Sequence, residues 1–350
     1  MTTNSIDPSG KTVLITGGTG SFGKTMAKHL LDQGYEQIRI FSRDEWKQED
    51  MRVRMAEPRL RFYIGDVRSR ASVDAAMDGV DLVFHAAALK QVPSCEFFPM
   101  QAVETNIIGS NNVIESAVAH KVECVVVLGT DKAVYPVNAM GMTKAVMEKV
   151  AQSVARRLDE NETRVCSVRY GNVMYSRGSV IPLFVRQIRE GNPITVTAKA
   201  MSRFMMPLSD SVRLVEFAFQ NGRQGDVFVK KAAACTIGRL AQALKEIFES
   251  DVEINTIGNR HGEKMFEALA SCAEVSRAED MGDFLRIPMD ERDLNYNRFF
   301  VEGEDDIHAT QDYDSHTTNQ LTLEEVKELL LSLPEIQEEL SKFGLAANVE

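Results

Sequence analysis

The chain has 350 residues, 44% of them hydrophobic, and a net charge of −11 at neutral pH. That is apolar content enough for one large domain or two intimate ones, while the acidity, offset by no basic tract, argues against nucleic-acid binding. No apolar run approaches the ~20 residues that cross a bilayer, and the N-terminus has no apolar signal segment, so a cytoplasmic protein with no membrane span is expected.

In chain order, the first half alternates strand and helix patterns. Strands are expected at 12–16, 38–42, 60–64, 82–86, 124–128 and 165–169, with helices at 24–33, 70–77, 102–120 and 142–158. The alternation, with strands nearly continuous in apolar residues, predicts an α/β fold: a Rossmann-type, doubly wound parallel sheet over 10–171. From Asn172 onward, Pro182, Gly191, Pro193 and Pro207 break the chain into shorter elements, with helices at 180–189, 210–221 and 237–249; the stretch 172–302 reads as a smaller, C-terminal substrate-binding lobe. The remainder, 303–350, reads as an acidic loop (302–314) and a helix at 321–333 that Pro334 ends or kinks, then a short helix at 335–343. The leucines there are read as core packing in preference to an oligomer contact. Five cysteines, 95, 124, 166, 235 and 272, form no Cys-x-x-Cys and read as reduced thiols. The histidines show no ligand spacing, and no metal is assigned.

The most informative stretch is Thr16-Gly17-Gly18-Thr19-Gly20-Ser21-Phe22-Gly23. Gly17, Gly20 and Gly23 fit Gly-x-x-Gly-x-x-Gly between a strand and a helix, the construction that brings a dinucleotide pyrophosphate onto helix-terminal N–H groups. Thr19, Ser21 and Phe22 fall within it. After the second strand comes Ser42-Arg43-Asp44; an acid there binds ribose hydroxyls, whereas Arg43, helped by Lys47, favours the 2′-phosphate of NADP. A solvated charged turn is the bland alternative. Asp66 and Val67 follow the third strand, where they can meet adenine. After the fourth, the small Ala86 and Ala87 let backbone lie against a cofactor, and His85 reads as a packed core residue in preference to a catalyst.

Thr130-Asp131-Lys132 follows the fifth strand, where open α/β sheets hold ligands. An acid and an amine side by side there suit general acid–base work better than an exposed ion pair does. Met140 and Lys144 share a helix face one turn apart, so Lys144 can point at the nicotinamide ribose and lower the pKa of nearby groups.

These segments, with Arg169-Tyr170-Gly171-Asn172-Val173, Ser176-Arg177-Gly178-Ser179-Val180 and Arg260-His261-Gly262-Glu263-Lys264, resemble the extended short-chain dehydrogenase/reductases across about residues 10–300. The nearer resemblance is to the inverting UDP-N-acetylglucosamine 4,6-dehydratases of polysaccharide biosynthesis. Met140 stands where that family places the tyrosine of Tyr-x-x-x-Lys, as in its capsule-type subgroup; a thioether takes no proton from a sugar hydroxyl. The stretch 197–204 also departs from the family's usual wording, while keeping Arg203. The resemblance implies NADP, with Lys132 as base at C5, Asp131 as acid at O6 (roles the two can trade), Thr130 near O4, and Lys90, Asn172, Val180, Arg203, Arg260 and Glu263 around a UDP-sugar. Base work by Lys132 at neutral pH requires a neutral amine, which its neighbour Asp131 opposes. A homo-oligomer is expected. The alternatives are a UDP-sugar C4 epimerase or oxidoreductase, which needs no acid–base pair at C5 and C6, and a non-catalytic cofactor-binding scaffold, which Met140 favours.

Overall fold

The computed structural model describes residues 6–176, 178–290 and 311–345. Six parallel strands form in the predicted order: β1 (Thr12–Thr16), β2 (Gln37–Ser42), β3 (Leu60–Ile64), β4 (Leu82–His85), β5 (Cys124–Leu128) and β6 (Arg164–Arg169). Their spatial order is 3-2-1-4-5-6, so the sheet reverses direction between β1 and β4. That reversal opens a crevice at the strands' C-terminal ends. The strands are apolar on both faces because helices cover both. Ile15, Phe84 and Val126 belong to one buried cluster, whereas Leu14, Val83 and Val125 belong to another. Each fully buried side chain of this size contributes roughly 1.5–3 kcal/mol.

The helices among these strands are α1 (Ser21–Asp32), α2 (Glu45–Met55), α3 (Arg70–Met77), α4 (Val92–Phe97), α5 (Pro99–Ala102), α6 (Gly109–Ala119) and α7 (Ala139–Ala155). α2 escapes a reading by apolar period because only Gln48 and Met51 are buried on it. Its start is set by Asp44, whose side chain caps the helix through the Lys47 N–H. The single helix expected at 102–120 contains a π-helical segment, Val103–Ile108. Such segments shift the register of side chains locally, and here Asn106 becomes wholly buried. α7 starts at Ala139, earlier than expected, because Asn138 accepts the Gly141 N–H and caps it.

Two compact units emerge. The first is Met1–Tyr170 with Ser209–Lys231 and Leu269–Asp312; the second is Gly171–Leu208 with Ala232–Ala268 and Tyr313–Glu350. Each unit is assembled from separate stretches of the chain. The reason lies in the core: Val212, Val215, Phe219 and Phe228 share a cluster with Val13, Val168 and Ile15. Strand Val227–Lys230 also extends the parallel sheet beside β6, and Phe284–Ile287 adds an antiparallel strand. Short elements of three or four residues carry too little period to be assigned from sequence.

In the second unit, the helices Leu323–Leu331 and Pro334–Phe343 bury Val326, Leu330, Ile336 and Leu340 in a cluster with Ile181, Phe184, Leu240 and Leu244. The C-terminal leucines therefore pack into a core. Thr322 and Glu325 form a reciprocal cap on the first of these helices, and Pro334 opens the second. The acidic loop expected at 302–314 lies outside the described residues up to 310; Tyr313–Asp314 is a short strand. Among the described residues, no helix is long and apolar enough to cross a membrane.

Candidate active site

The glycine turn fits a pyrophosphate. Gly17 has φ +68, and a Cβ there would lie 2.9 Å from the Ala87 backbone. Only glycine lets the β1 turn close on the segment after β4. The N-cap of α1 is Gly20, with no side chain to cap the first turn, which leaves helix-terminal N–H groups suited to an anion. Thr19 is buried, Ser21 is exposed and Phe22 lies between, its ring edge-on to Phe84 at 5.0 Å and to Tyr170 at 5.8 Å. At the end of β2, Ser42 accepts a hydrogen bond from Gln48, while Arg43 is half exposed and 3.7 Å from Asp66. Asp44 is engaged as a helix cap and pairs with Lys47. Burial alone would raise the Asp66 carboxyl, but hydrogen bonds from Arg68 outweigh it and hold it below the usual range. The Val67 side chain is buried in the core. Ala86 and Ala87 are partly buried and Lys90 lies at the surface.

His85 is a structural connector. Its Nδ1 lies 2.7 Å from Thr16 Oγ1 and its Nε2 lies 2.8 Å from Ser110 Oγ. Ser110 donates to the Asn106 carbonyl at 2.7 Å, so it accepts from His85 Nε2–H, and His85 Nδ1 accepts from the Thr16 hydroxyl. Burial, and then Lys144, push the imidazole down to about 3. The chain of bonds continues: Asn106 accepts the Leu89 N–H at 2.8 Å and donates to the Leu89 carbonyl and to Thr143 Oγ1, both at 3.0 Å. A side-chain relay thus runs from the glycine turn to the residue preceding Lys144.

The turn after β5 is a 3-10 helix, Asp131–Ala133, with Thr130 as its N-cap. Asp131 is buried, and its Oδ1 accepts from Lys132 Nζ at 3.1 Å and from Thr130 Oγ1 at 2.9 Å. Lys144 is buried on the first turns of α7, its Nζ donating to the Leu128 carbonyl at 2.7 Å. Burial lowers its ammonium pKa to about 8, with Glu148 opposing. Met140 is buried beside Cys95 and Ala102. The phenol of Tyr170 is raised above its ordinary range by burial and then by Asp131, so it stays protonated.

In the second unit, Arg203 sits on strand Ser202–Phe204 and donates to the Ser202 and Lys264 carbonyls at 2.7 and 2.9 Å. Those bonds fix it against the turn that carries Arg260 and Glu263, themselves 3.9 Å apart. Asn172 Oδ1 and Glu263 Oε2 are buried polar atoms with no hydrogen-bond partner among the described residues, and so is Ser179 Oγ, beside Val180 at the start of helix Val180–Arg189. Such atoms cost free energy unless a ligand or water satisfies them.

Several participants were not singled out from sequence. Asn106, Ser110 and Glu274 carry no signal of their own; Glu148 stands four residues after Lys144, a spacing that could have flagged it. Ser179 was readable as a serine preceding a helix.

The fold and glycine turn define a Rossmann-type α/β protein. A family model described as "Polysaccharide biosynthesis protein" matches residues 13–289, and one described as "Polysaccharide biosynthesis protein C-terminal" matches 290–337. The chain belongs to this polysaccharide biosynthesis protein family. It is 58% identical over 334 residues to a protein of Rickettsia canadensis (strain McKiel) named UDP-glucose 4-epimerase, covering 94% of this chain and 98% of that one. The X-ray structure of Pen from Bacillus thuringiensis superposes with a TM-score of 0.83 at 37% identity, covering 92% and 97% of the two chains. A dTDP-glucose 4,6-dehydratase, DesIV from Streptomyces venezuelae with NAD and TYD bound, shares the fold: TM-score 0.66 at 23% identity, covering 73% and 86%.

Proposed function

We propose that the chain is a nucleotide-sugar enzyme that carries out NADP-dependent 4,6-dehydration of UDP-N-acetylglucosamine with inversion at C5, giving a 4-keto-6-deoxy-hexosamine nucleotide for surface polysaccharide. The observation that carries this reading is the joined Asp131–Lys132 pair in the turn after β5, one side chain buried and the other partly so. When bound, the nicotinamide would supply oxidation at C4 and the later reduction at C6. Gly17, Gly20, Gly23 and the start of α1 would hold its pyrophosphate, and Lys144 its ribose.

A 4-ketone acidifies the C5 hydrogen, which a neutral Lys132 amine removes. Asp131, protonated, gives its hydrogen to the departing C6 hydroxyl, which leaves as water. Elimination therefore converts an amine–acid pair into an ammonium–carboxylate pair of the same net charge, and the 3.1 Å contact between Lys132 Nζ and Asp131 Oδ1 stabilises the product state. C5 takes a proton from water on the opposite face, matching the one released from O4 on oxidation, and is inverted; return of the Lys132 proton to Asp131 across their 3.1 Å contact resets the pair. Arg203 and Arg260 suit the diphosphate, because guanidinium forks match phosphate oxygens. The resemblance assigns Asn172, Val180, Glu263 and Lys90 to the same UDP-sugar.

NADP is preferred because Asp44, the acid that would otherwise receive ribose hydroxyls, serves as a helix cap, while Arg43 remains half exposed. Exposed Phe97, Phe98, Met100, Met142 and Val146 support a homo-oligomer. All five cysteines are free thiols, in keeping with the cytoplasm.

Epimerisation at C4 is the second reading, favoured by the names of the Rickettsia relatives. Incubation of the purified chain with UDP-N-acetylglucosamine and with UDP-glucose, followed by NMR, separates the two. Dehydration yields a C6 methyl and an inverted C5; a product that keeps its C6 hydroxyl defeats the proposal.

A further inference from the structure

A buried charge cluster behind the reactive turn has no place in the mechanism above. Arg169, buried at the end of β6, donates through Nε to both oxygens of Glu148 at 3.1 and 3.0 Å. Its Nη2 reaches Glu148 Oε2 and Glu274 Oε1, both at 2.8 Å, and its Nη1 reaches Glu274 Oε2 at 2.9 Å. The guanidinium is therefore divided between two carboxylates. Burial alone would disfavour its charge, but Glu148 and then Glu274 outweigh this and hold it cationic. Glu274 is itself held by the Ser271 backbone N–H at 3.0 Å and hydroxyl at 3.2 Å.

Glu148 links this cluster to the candidate chemistry in two directions. It lies one helical turn from Lys144 on the same face of α7. It also lies directly against the reactive turn: a Cβ on Gly129 would be 2.4 Å from Glu148 Oε1 and 2.8 Å from the Val168 carbonyl. Only a residue without a side chain lets the Gly129–Lys132 backbone close onto the carboxylate. Other groups facing Lys144 are the Leu128 carbonyl from β5, His85 from β4, Cys95 from α4 and Met147 on its own helix. Among these, Glu148 is the group that favours the ammonium by a full negative charge.

We propose that Glu274 is a positioning residue that acts on Lys144 through Arg169 and Glu148. By taking half of the Arg169 guanidinium, it leaves Glu148 enough negative charge to hold the Lys144 ammonium and to seat the Gly129–Lys132 turn. Without Glu274 the guanidinium turns wholly to Glu148, the cluster loses one anion, and both changes weaken the charged form of Lys144. The segment 271–275 is thereby coupled to a lysine on another element that it does not touch. This inference rests on the proposed role of Lys144 at the nicotinamide ribose.

The test measures NADPH affinity by fluorescence across pH 6 to 10 in the full chain, with Glu274→Gln and Glu274→Asp. This readout needs no sugar and no turnover, so it separates a failure of the coupling from a failure of the dehydratase reading. In Glu274→Gln the pH at which affinity falls should move down by about one unit, giving roughly tenfold weaker binding above pH 8 and near-normal binding at pH 6.5. Glu274→Asp should restore much of the profile. An unshifted profile in a folded Glu274→Gln protein overturns the proposal. Should that variant fail to fold, Ser271→Ala, which removes one donor to Glu274, takes its place. A smaller shift in the same direction then supports the coupling, and an unshifted profile overturns it.

Discussion

Polar groups around Lys144 in the first unit and at three positions of the second are used differently. Around Lys144 in the first, the side chains are committed to one another: His85 uses both ring nitrogens, Asn106 uses both ends of its amide, and Arg169 spreads its guanidinium over two carboxylates. In the second, Asn172, Ser179 and Glu263 each keep a buried oxygen without a hydrogen-bond partner among the described residues. Under the proposed function, the first arrangement would hold reacting groups in one geometry, as acid–base chemistry requires. The second would retain binding capacity for a polar ligand.

The sharpest way to break this contrast is Lys132→Ala. Loss of the C5 base should lower turnover by about 10²–10⁴-fold while leaving cofactor affinity unchanged. Sugar-nucleotide NMR and fluorescence titration read the two quantities separately. Full activity in this variant would favour the epimerase reading.

His85→Asn tests the committed network, and its effect is on stability. Leaving the Thr16 or Ser110 hydroxyl without its buried partner should cost about 1–3 kcal/mol in chemical denaturation. The sign of the pH dependence follows from the lowered pKa. Unfolded histidine binds a proton below about pH 6.5, whereas folded His85 does so only near 3. Unfolding therefore takes up a proton in that window, and the histidine's contribution to stability declines as pH falls from 6.5 toward 3. The asparagine variant should show a shallower acid dependence.

For the second unit, Glu263→Gln and Asn172→Ala should raise KM for the UDP-sugar about tenfold, about 1.4 kcal/mol, with Tm close to that of the parent protein. A large fall in Tm would show that these groups serve the fold and would remove the contrast. The smallest and most selective effect is expected from Arg43→Ala. The Kd for NADP should rise by up to tenfold and that for NAD should stay within twofold, because a single exposed guanidinium–phosphate contact contributes modestly.

Much of this was legible in the chain. Near-continuous apolar strands and the glycine pattern placed β1 to β6 almost residue by residue, and Asp131, Lys132 and Lys144 fall in the turn and helix expected of them. Reading His85 as a packed core residue agrees with its two buried hydrogen bonds. α2 was missed because its stability comes from the Asp44 cap and from surface ion pairs such as Arg54 with Asp50, which leave no apolar stripe. The π-segment was missed because Asn106 is a polar residue in an otherwise helical pattern.

Sequence by itself determined the local facts: which stretches are strand, where glycine must form the turn after β1, and which acid and amine are neighbours. Those properties depend on side-chain type and spacing over a few residues. Tertiary structure alone decided that residues 209–231 and 269–312 join the first unit, that Glu148 sits under Gly129, and that Glu274 shares Arg169 with it. Contacts between residues a hundred positions apart are fixed by how buried charges find partners in three dimensions, and no short-range pattern encodes that choice.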